Sequence, residues 1–335
     1  MNKSKEKKEV IGIDVSKLKL DITVHTTQVY FKCENNKKGI NKMINDIYKQ
    51  SVFSQENILF VFENTGIYSY ELAAILNEKE IPFTMVSGLE VKRSLGIVRG
   101  KSDKADSKLI ALFGYQRREE LKPSIMPSKN VEKLQKLLNL RRKLEKHLAG
   151  HKSYTKELKS VLNKKEHKVI FAETEKQIKA LKASIKNIEE EMFDIIKSDE
   201  NIDKNYKLLT SINGIGKITS MLVIVCTANF TKFDNHRQLA SYCGIAPFEH
   251  SSGSSVRGKT KVSNLAYKEL KSMLTMAAMS AIQHNNEIRQ YYERRIKEGK
   301  NKMSTLNNVR NKLLARMFSV VKRGTPYVDL TKYAA

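Results

Sequence analysis

Val10-Ile-Gly-Ile-Asp-Val15 and Leu18-Lys-Leu-Asp-Ile-Thr-Val24 are the two stretches that decide the fold of the first part of the chain. The second alternates apolar and polar residues with a period of two, which is typical of a half-buried strand. The first is a short apolar strand interrupted by one carboxylate. Asp14 falls on the opposite face of that strand from Ile11, Ile13 and Val15.

Further strands and helices follow in a regular order. The pattern predicts a strand Val29–Cys33, a helix Lys38–Gln50, a strand Ile58–Phe62, a helix Tyr68–Glu80 and a strand Pro82–Val86. Three antiparallel strands followed by β-α-β units make a mixed α/β sheet in the ribonuclease-H-like order. We therefore expect an α/β domain over residues 1–120.

Pro123 and Pro127 interrupt the chain before two long helical stretches, which we assign to a middle domain at 121–204. One helix is predicted over Val131–Val161, a hairpin turn over Asn163–Phe171, and a return helix after it. The return helix has a coiled-coil seam, formed by Ile178, Leu181, Ile185, Ile188, Met192 and Ile195. This seam either closes a hairpin within the chain or joins two subunits.

The chain is strongly basic, with 61 Lys and Arg against 36 Asp and Glu, for a formal net charge of +25. Such an excess indicates a polyanionic partner. No apolar run is long enough to cross a membrane. The three cysteines, Cys33, Cys226 and Cys243, are scattered, which favours a reducing cytoplasm over a disulfide framework or a zinc site.

Four carboxylates occupy positions from which they could converge. Asp14 lies within a strand, and Glu63 follows the buried strand Ile58–Phe62. Asp103 and Asp106 begin a helix that Ser102 can cap. Carboxylates on one sheet edge would bind Mg²⁺, which prefers oxygen ligands. Two such ions can stabilise the attacking and leaving oxygens of phosphodiester displacement. A capping or salt-bridging role is the alternative for each acid, above all for Asp103.

Three segments resemble the motif segments of DEDD insertion-sequence transposases: Ile11–Lys17, Phe62–Tyr68 and Lys101–Asp106. The resemblance covers nearly the whole chain. It implies a catalytic domain like that of RuvC-type junction resolvases, with Asp14, Glu63, Asp103 and Asp106 as the catalytic tetrad. Some members of the family are RNA-guided recombinases, so the resemblance also implies a guide RNA from the flank of the element.

Residues 205–335 hold the densest positive charge and are predicted to form a mainly helical C-terminal domain. Leu209–Lys217 indicates two helices joined by a tight turn, and this element resembles a helix-hairpin-helix. Gly214 and Gly216 could let backbone N–H groups approach a DNA phosphate, with Lys217 beside them. A plain interhelical turn is the alternative.

A Gly-, Ser- and Lys-rich segment, 249–261, interrupts these helices and is expected to be a flexible basic loop. The resemblance implies that Ser252 is the nucleophile, activated by Mg²⁺ and the carboxylates. Arg257, Lys259 and Lys261 would hold flanking phosphates. Ser254 stands where the family commonly has a second glycine, and the stretch after Gly258 looks one residue shorter, so Ser251 stays a competitor.

The leading hypothesis is therefore a cytoplasmic transposase that cuts and rejoins DNA as a dimer or tetramer. A junction-resolving nuclease is the alternative with the same metal site, but it has no need of the serine segment. A non-enzymatic nucleic-acid-binding protein is the third hypothesis. It would not need Asp14 and Asp106 on otherwise apolar faces.

Overall fold

A five-stranded mixed sheet forms the centre of the first unit in the computed structural model, which describes residues 9–94, 102–252 and 256–329. The strands are β1 (Glu9–Val15), β2 (Lys19–Val24), β3 (Tyr30–Glu34), β4 (Ile58–Glu63) and β5 (Phe83–Val86). Their order is β3-β2-β1-β4-β5, with antiparallel pairs among the first three and parallel pairs from β1 to β5. The predicted mixed α/β sheet is confirmed, and its order is compatible with a ribonuclease-H-like domain. Leu18, predicted to be within β2, precedes it and is 71% exposed.

Helices cover both faces of this sheet: α1 (Lys37–Gln50), α2 (Ile67–Glu78), α3 (Gly88–Ser94) and α4 (Asp103–Gln116). Ile11 and Ile13 of β1 share a hydrophobic core with the buried side chains of α1 and α2. Val10, on the other face of β1, belongs to a second core with Ile110 and Phe113 of α4. Successive residues of β1 therefore contribute to two different hydrophobic cores. Asp14 lies on the face that α4 covers.

The second unit, residues 127–335, is mainly helical. Its elements are α5 (Lys129–Val161), α6 (Lys168–Lys197), α7 (Glu200–Thr210), α8 (Lys217–Cys226), α9 (His236–Tyr242), β6 (Pro247–Ser252), β7 (Val256–Val262), α10 (Lys268–His284), α11 (Asn286–Lys297) and α12 (Lys302–Arg323). The described part of the chain includes no helix long and apolar enough to span a bilayer.

The two long helices α5 and α6 pack against each other as a hairpin within the chain. The turn between them is shorter than the predicted Asn163–Phe171, because α6 begins at Lys168 and Phe171 is a buried helical residue. In the predicted seam, Ile185 and Met192 are buried while Ile188 is half-buried. The seam thus closes an intrachain hairpin, and a role of the same helices in joining subunits stays a prediction.

One hydrophobic core extends across residue 204, from Val131 and Leu134 of α5 to Leu313 and Met317 of α12. The helical middle and the C-terminal segment therefore share buried surface. The division between the two units, after Met126, lies close to the predicted boundary at residue 120. A separate domain boundary at 204 stays a prediction.

Candidate active site

Asp14 is the centre of a group of acidic residues in the first unit. Burial, and after it the negative charges of nearby carboxylates, raise the pKa of Asp14 from its ordinary 3.8 to about 6. In decreasing order of effect, these carboxylates are Asp106, Asp103, Glu63 and Asp21. The structure thus brings the other three carboxylates of the predicted tetrad within electrostatic reach of Asp14.

Two of these carboxylates come from the first turn of α4. Ser102 caps the helix as predicted, because its side chain accepts a hydrogen bond from the Ala105 N–H at 3.2 Å. Asp106 is half-buried, whereas Asp103 is exposed. The Ser107 hydroxyl forms a 2.8 Å hydrogen bond with that of Thr23 on β2, which fixes this turn against the sheet.

Glu63 ends β4, and its carboxylate lies against the backbone of Gly88 at the start of α3. A Cβ added at Gly88 would lie 2.5 Å from Glu63 Oε2. Glycine at position 88 therefore leaves the space that the Glu63 carboxylate occupies. The strand positions the Glu63 backbone, and the following β5–α3 connection positions its side chain.

The donor set fits a hard divalent cation, since all four groups are carboxylates and their mutual repulsion is relieved by positive charge. Within the described residues, however, no three histidine, cysteine or acidic side chains lie close enough to hold one metal ion. Charges interact at ranges longer than a coordination bond, so carboxylates that raise the pKa of Asp14 can lie farther apart than the ligands of one bound ion.

Gly12 allows α4 to approach β1 closely enough to bring its carboxylates near Asp14. A Cβ at position 12 would lie 2.2 Å from the Ala111 backbone nitrogen and 2.5 Å from the Ser107 carbonyl oxygen. Neither is the movable end of a side chain, so α4 would have to shift. We expect Gly12→Ala to destabilise the protein by about 3 kcal/mol, the upper part of the usual range for overpacking.

Urea unfolding of the full chain tests this expectation, with Gly150→Ala as the matched control. Gly150 lies within α5, and an added Cβ there meets no atom within 4 Å. The control should gain about 0.5–1 kcal/mol, because alanine loses less conformational entropy than glycine in a helix. A Gly12→Ala protein as stable as the wild type would contradict the close packing of α4 on β1.

The segment expected to be a flexible basic loop instead contains the antiparallel hairpin β6–β7 in the second unit. That expectation was wrong, because Phe248 pairs with Lys261 and the antiparallel pairing continues into the segment. Ser252 is the last residue of β6 and pairs with Val256, while Ser251 pairs with Arg257. Lys261 is exposed, and the side chains of Ser251, Ser252, Arg257 and Lys259 lie outside the described part of the structure.

The turn between α7 and α8 contains the two glycines singled out in the sequence. Gly214 has a positive φ of 93°, and a Cβ there would lie 2.7 Å from the Ala277 carbonyl oxygen of α10. The glycine is therefore needed for the turn and for helix packing. Gly216 and Lys217, at the start of α8, are exposed, and phosphate binding at this turn stays a prediction.

Comparisons with known proteins identify the family of the chain. A DEDD transposase model for IS110 elements matches residues 11–165, and the model described as "Transposase IS116/IS110/IS902 family" matches residues 206–293. The chain is an IS110-family DEDD transposase.

Two similar proteins match almost the whole chain. The "Pilin gene-inverting protein" of Moraxella lacunata is 27% identical over 327 residues, which cover 96% of this chain and 98% of that protein. Its counterpart in Moraxella bovis matches with the same identity and coverage. An uncharacterized insertion element IS110 protein of Streptomyces coelicolor is 29% identical over 36% of this chain and 29% of its own length.

The two family matches divide between the two candidate regions of this IS110-family transposase. The first spans all four carboxylates, and the second spans the α7–α8 turn and the β6–β7 hairpin. The transposase is thus an enzyme that cuts and rejoins DNA, and DNA is its partner. DEDD transposases in general use a divalent metal ion.

Sequence reasoning missed a fifth carboxylate of the transposase, Asp21. It pairs directly with Asp14 across β1 and β2, and it is only 2% exposed. Tyr30 donates a hydrogen bond to it at 2.5 Å, and the Lys32 ammonium lies 3.0 Å away. These contacts raise the pKa of Lys32, first through Tyr30 and then through Asp21. The available signal was the position of Asp21 on the polar side of the alternation in β2, the side that α4 covers in the structure.

Proposed function

We propose that this transposase cuts and rejoins the ends of its mobile element at a Mg²⁺ site formed by Asp14, Glu63, Asp103 and Asp106, with Ser252 as the nucleophile. The observation that carries the metal site is the pKa of Asp14, which burial and then the other three carboxylates raise to about 6. Asp14, partly buried and close to three other acids, is costly to keep ionised without a cation.

Each part of the first unit has a role in this proposal. Strands β1 and β4 would hold Asp14 and Glu63, while the capped first turn of α4 would hold Asp103 and Asp106. When bound there, Mg²⁺ would supply positive charge that stabilises the oxygens of a phosphodiester undergoing displacement. The close approach at Gly12 and the space at Gly88 would keep the four carboxylates in place.

Recombination rather than simple hydrolysis is favoured by the relatives. The Moraxella proteins are named for inverting a pilin gene, and they match this chain along almost its full length. Inversion of a DNA segment requires that every cut end be joined again. We extend this outcome to the present chain, for which excision and insertion of its own element are the corresponding reactions.

The partners of the proposed enzyme follow from the same argument. The residues proposed to bind the DNA backbone lie in the C-terminal segment with the densest positive charge: Gly214, Gly216, Lys217, Arg257, Lys259 and Lys261. The family resemblance adds a guide RNA encoded in the flank of the element, and an assembly of dimers into a tetramer on DNA. The α5–α6 hairpin is the segment that we propose for contact between subunits.

A strand-joining assay tests the proposed function. The full-length protein is incubated with a plasmid carrying the DNA that flanks its own gene, in Mg²⁺ or in EDTA, with and without RNA transcribed from that flank. We expect sequenced junctions in which both ends are rejoined, and none in EDTA. Linear products with free ends and no new junctions would contradict the proposal and favour the junction-resolving nuclease.

A further inference from the structure

A row of charged residues crosses the sheet of the first unit, starting at Asp14. Asp14 pairs with Asp21 in the register of β1 and β2, and Asp21 pairs in turn with Lys32 of β3. Directly opposed residues of antiparallel strands lie on the same face of a sheet. The row therefore lies on the face that α4 covers, beside the four carboxylates.

Asp21 holds Lys32 in a defined place within this row. The Asp21 side chain is 3% exposed, whereas that of Lys32 is 48% exposed. A buried carboxylate is tolerated when it is paired and hydrogen-bonded, and Asp21 has both Tyr30 and Lys32 as partners. The consequence for Lys32 is an ammonium group that is anchored on one side and open to solvent on the other.

Lys104 brings a second ammonium group to the same place from the first turn of α4. Its Nζ lies 5.1 Å from the centroid of the Tyr30 ring, and the Nζ of Lys32 lies 5.8 Å from it. The N-terminal turn of a helix is an unfavourable place for a cation. In the described chain, no carboxylate forms an ion pair with Lys104. Pairing with an acid therefore does not account for its position.

A site made of carboxylates repels the substrate it must bind. Two unit charges 4 Å apart interact by about 1 kcal/mol even in water, and each DNA phosphate carries a negative charge. Cations at the edge of this cluster of carboxylates offset the repulsion and hold the DNA strand in a fixed position. We propose that Lys32 and Lys104 bind a phosphate of the DNA strand entering the carboxylate site, and that Asp21 is the positioning residue for Lys32.

This inference rests on the proposed function, but its test uses binding alone. The affinity of the full-length protein for a fluorescent DNA duplex is measured by anisotropy in EDTA over a series of KCl concentrations. The logarithm of the binding constant falls with the logarithm of salt by about 0.9 per phosphate neutralised. Because the two lysines share one phosphate, we expect the double variant Lys32→Met, Lys104→Met to lower this slope by about 0.9.

The matched control is the double variant Lys49→Met, Lys79→Met, which removes the same charge. Lys49 lies in the last turn of α1 and Lys79 follows α2, the helices that pack on the opposite face of the sheet. We expect the control to keep the slope of the wild type, and Lys32→Arg to keep it as well. Equal slopes for the two double variants would overturn the proposal. Failure of the proposed function would be seen separately, as persistent cleavage by Asp14→Asn.

A double-mutant cycle tests the positioning role of Asp21. Asp21→Asn keeps both lysines but removes the anchor of Lys32, so affinity should fall in the wild-type background. In the Lys32→Met background the same change should have no further effect, because Asp21 acts through Lys32. Equal losses in both backgrounds would show that Asp21 does not act through Lys32. Thermal melting of each variant confirms that only folded protein is compared.

Discussion

Asp14→Asn is expected to lower strand cleavage by about a thousandfold while DNA affinity stays within about twofold of the wild type. A metal ion provides several kcal/mol of charge stabilisation in phosphoryl displacement, and each 1.36 kcal/mol corresponds to a factor of ten in rate. Asn keeps the size of Asp but carries no charge, so it binds a cation weakly. The basic side chains that bind DNA are unchanged, so binding is preserved.

Single-turnover cleavage and anisotropy, measured on the same preparation, test this expectation. Asp46→Asn is the matched control, since Asp46 lies on α1, on the opposite side of the sheet from Asp14. The control should cleave at the wild-type rate. Wild-type cleavage by Asp14→Asn would remove Asp14 from the site, whereas parallel loss of cleavage and of DNA binding would indicate that the substitution disturbs the fold.

The pH dependence of stability gives a second readout of the same substitution that does not depend on activity. The pKa of Asp14 is raised in the folded protein, from 3.8 to about 6, so folding favours its protonated form. In EDTA this contribution to stability is fully present below about pH 4 and is lost as the pH rises through about 6. The Tm of Asp14→Asn should therefore rise relative to that of the wild type over this interval. At pH 7.5, Mg²⁺ should raise the Tm of the wild type more than that of the variant.

The sheet could be predicted from the sequence because its signals are local. A few consecutive residues are enough to predict each of these features: the period of two in β2, the buried strands β1 and β4, and the Ser102 cap. The α5–α6 hairpin shows the limit of such signals. Its seam was visible in the sequence, but periodicity alone does not distinguish a partner helix in the same chain from one in another.

The residue types of the candidate site could be predicted from the sequence, but the contacts among these residues could not. Asp14 stood out because it interrupts an apolar strand. Asp21 did not, because a carboxylate on the polar side of an alternating strand looks solvated until α4 is placed over it. Phosphate binding at Gly214 stays a prediction, but the sequence did not show that the approach of Ala277 in α10 requires a glycine there. The burial of Asp21 and the need for glycine at position 214 both depend on contacts between residues far apart in sequence.

Ser252→Ala is expected to eliminate a covalent protein–DNA adduct that the wild type and Ser251→Ala both form. In the proposed step, a bond forms between the serine Oγ and phosphorus as a P–O bond of the strand breaks. The serine loses its proton, and the departing deoxyribose oxygen gains one. Attack on this phosphoserine by a deoxyribose hydroxyl of another strand releases the serine, so rejoining needs no external energy source.

A suicide substrate, nicked next to the cut so that the departing strand diffuses away, traps this intermediate for denaturing gel electrophoresis. Ser251 and Ser252 are consecutive residues of β6, so the two alanine variants are matched in size, strand and charge. Arg257, Lys259 and Lys261 are retained in both, so loss of the adduct reports chemistry rather than binding. An adduct that survives Ser252→Ala but is lost in Ser251→Ala would assign the nucleophile to Ser251. No adduct with the wild type, together with free cleaved ends, would exclude the serine mechanism and leave hydrolysis at the carboxylate site.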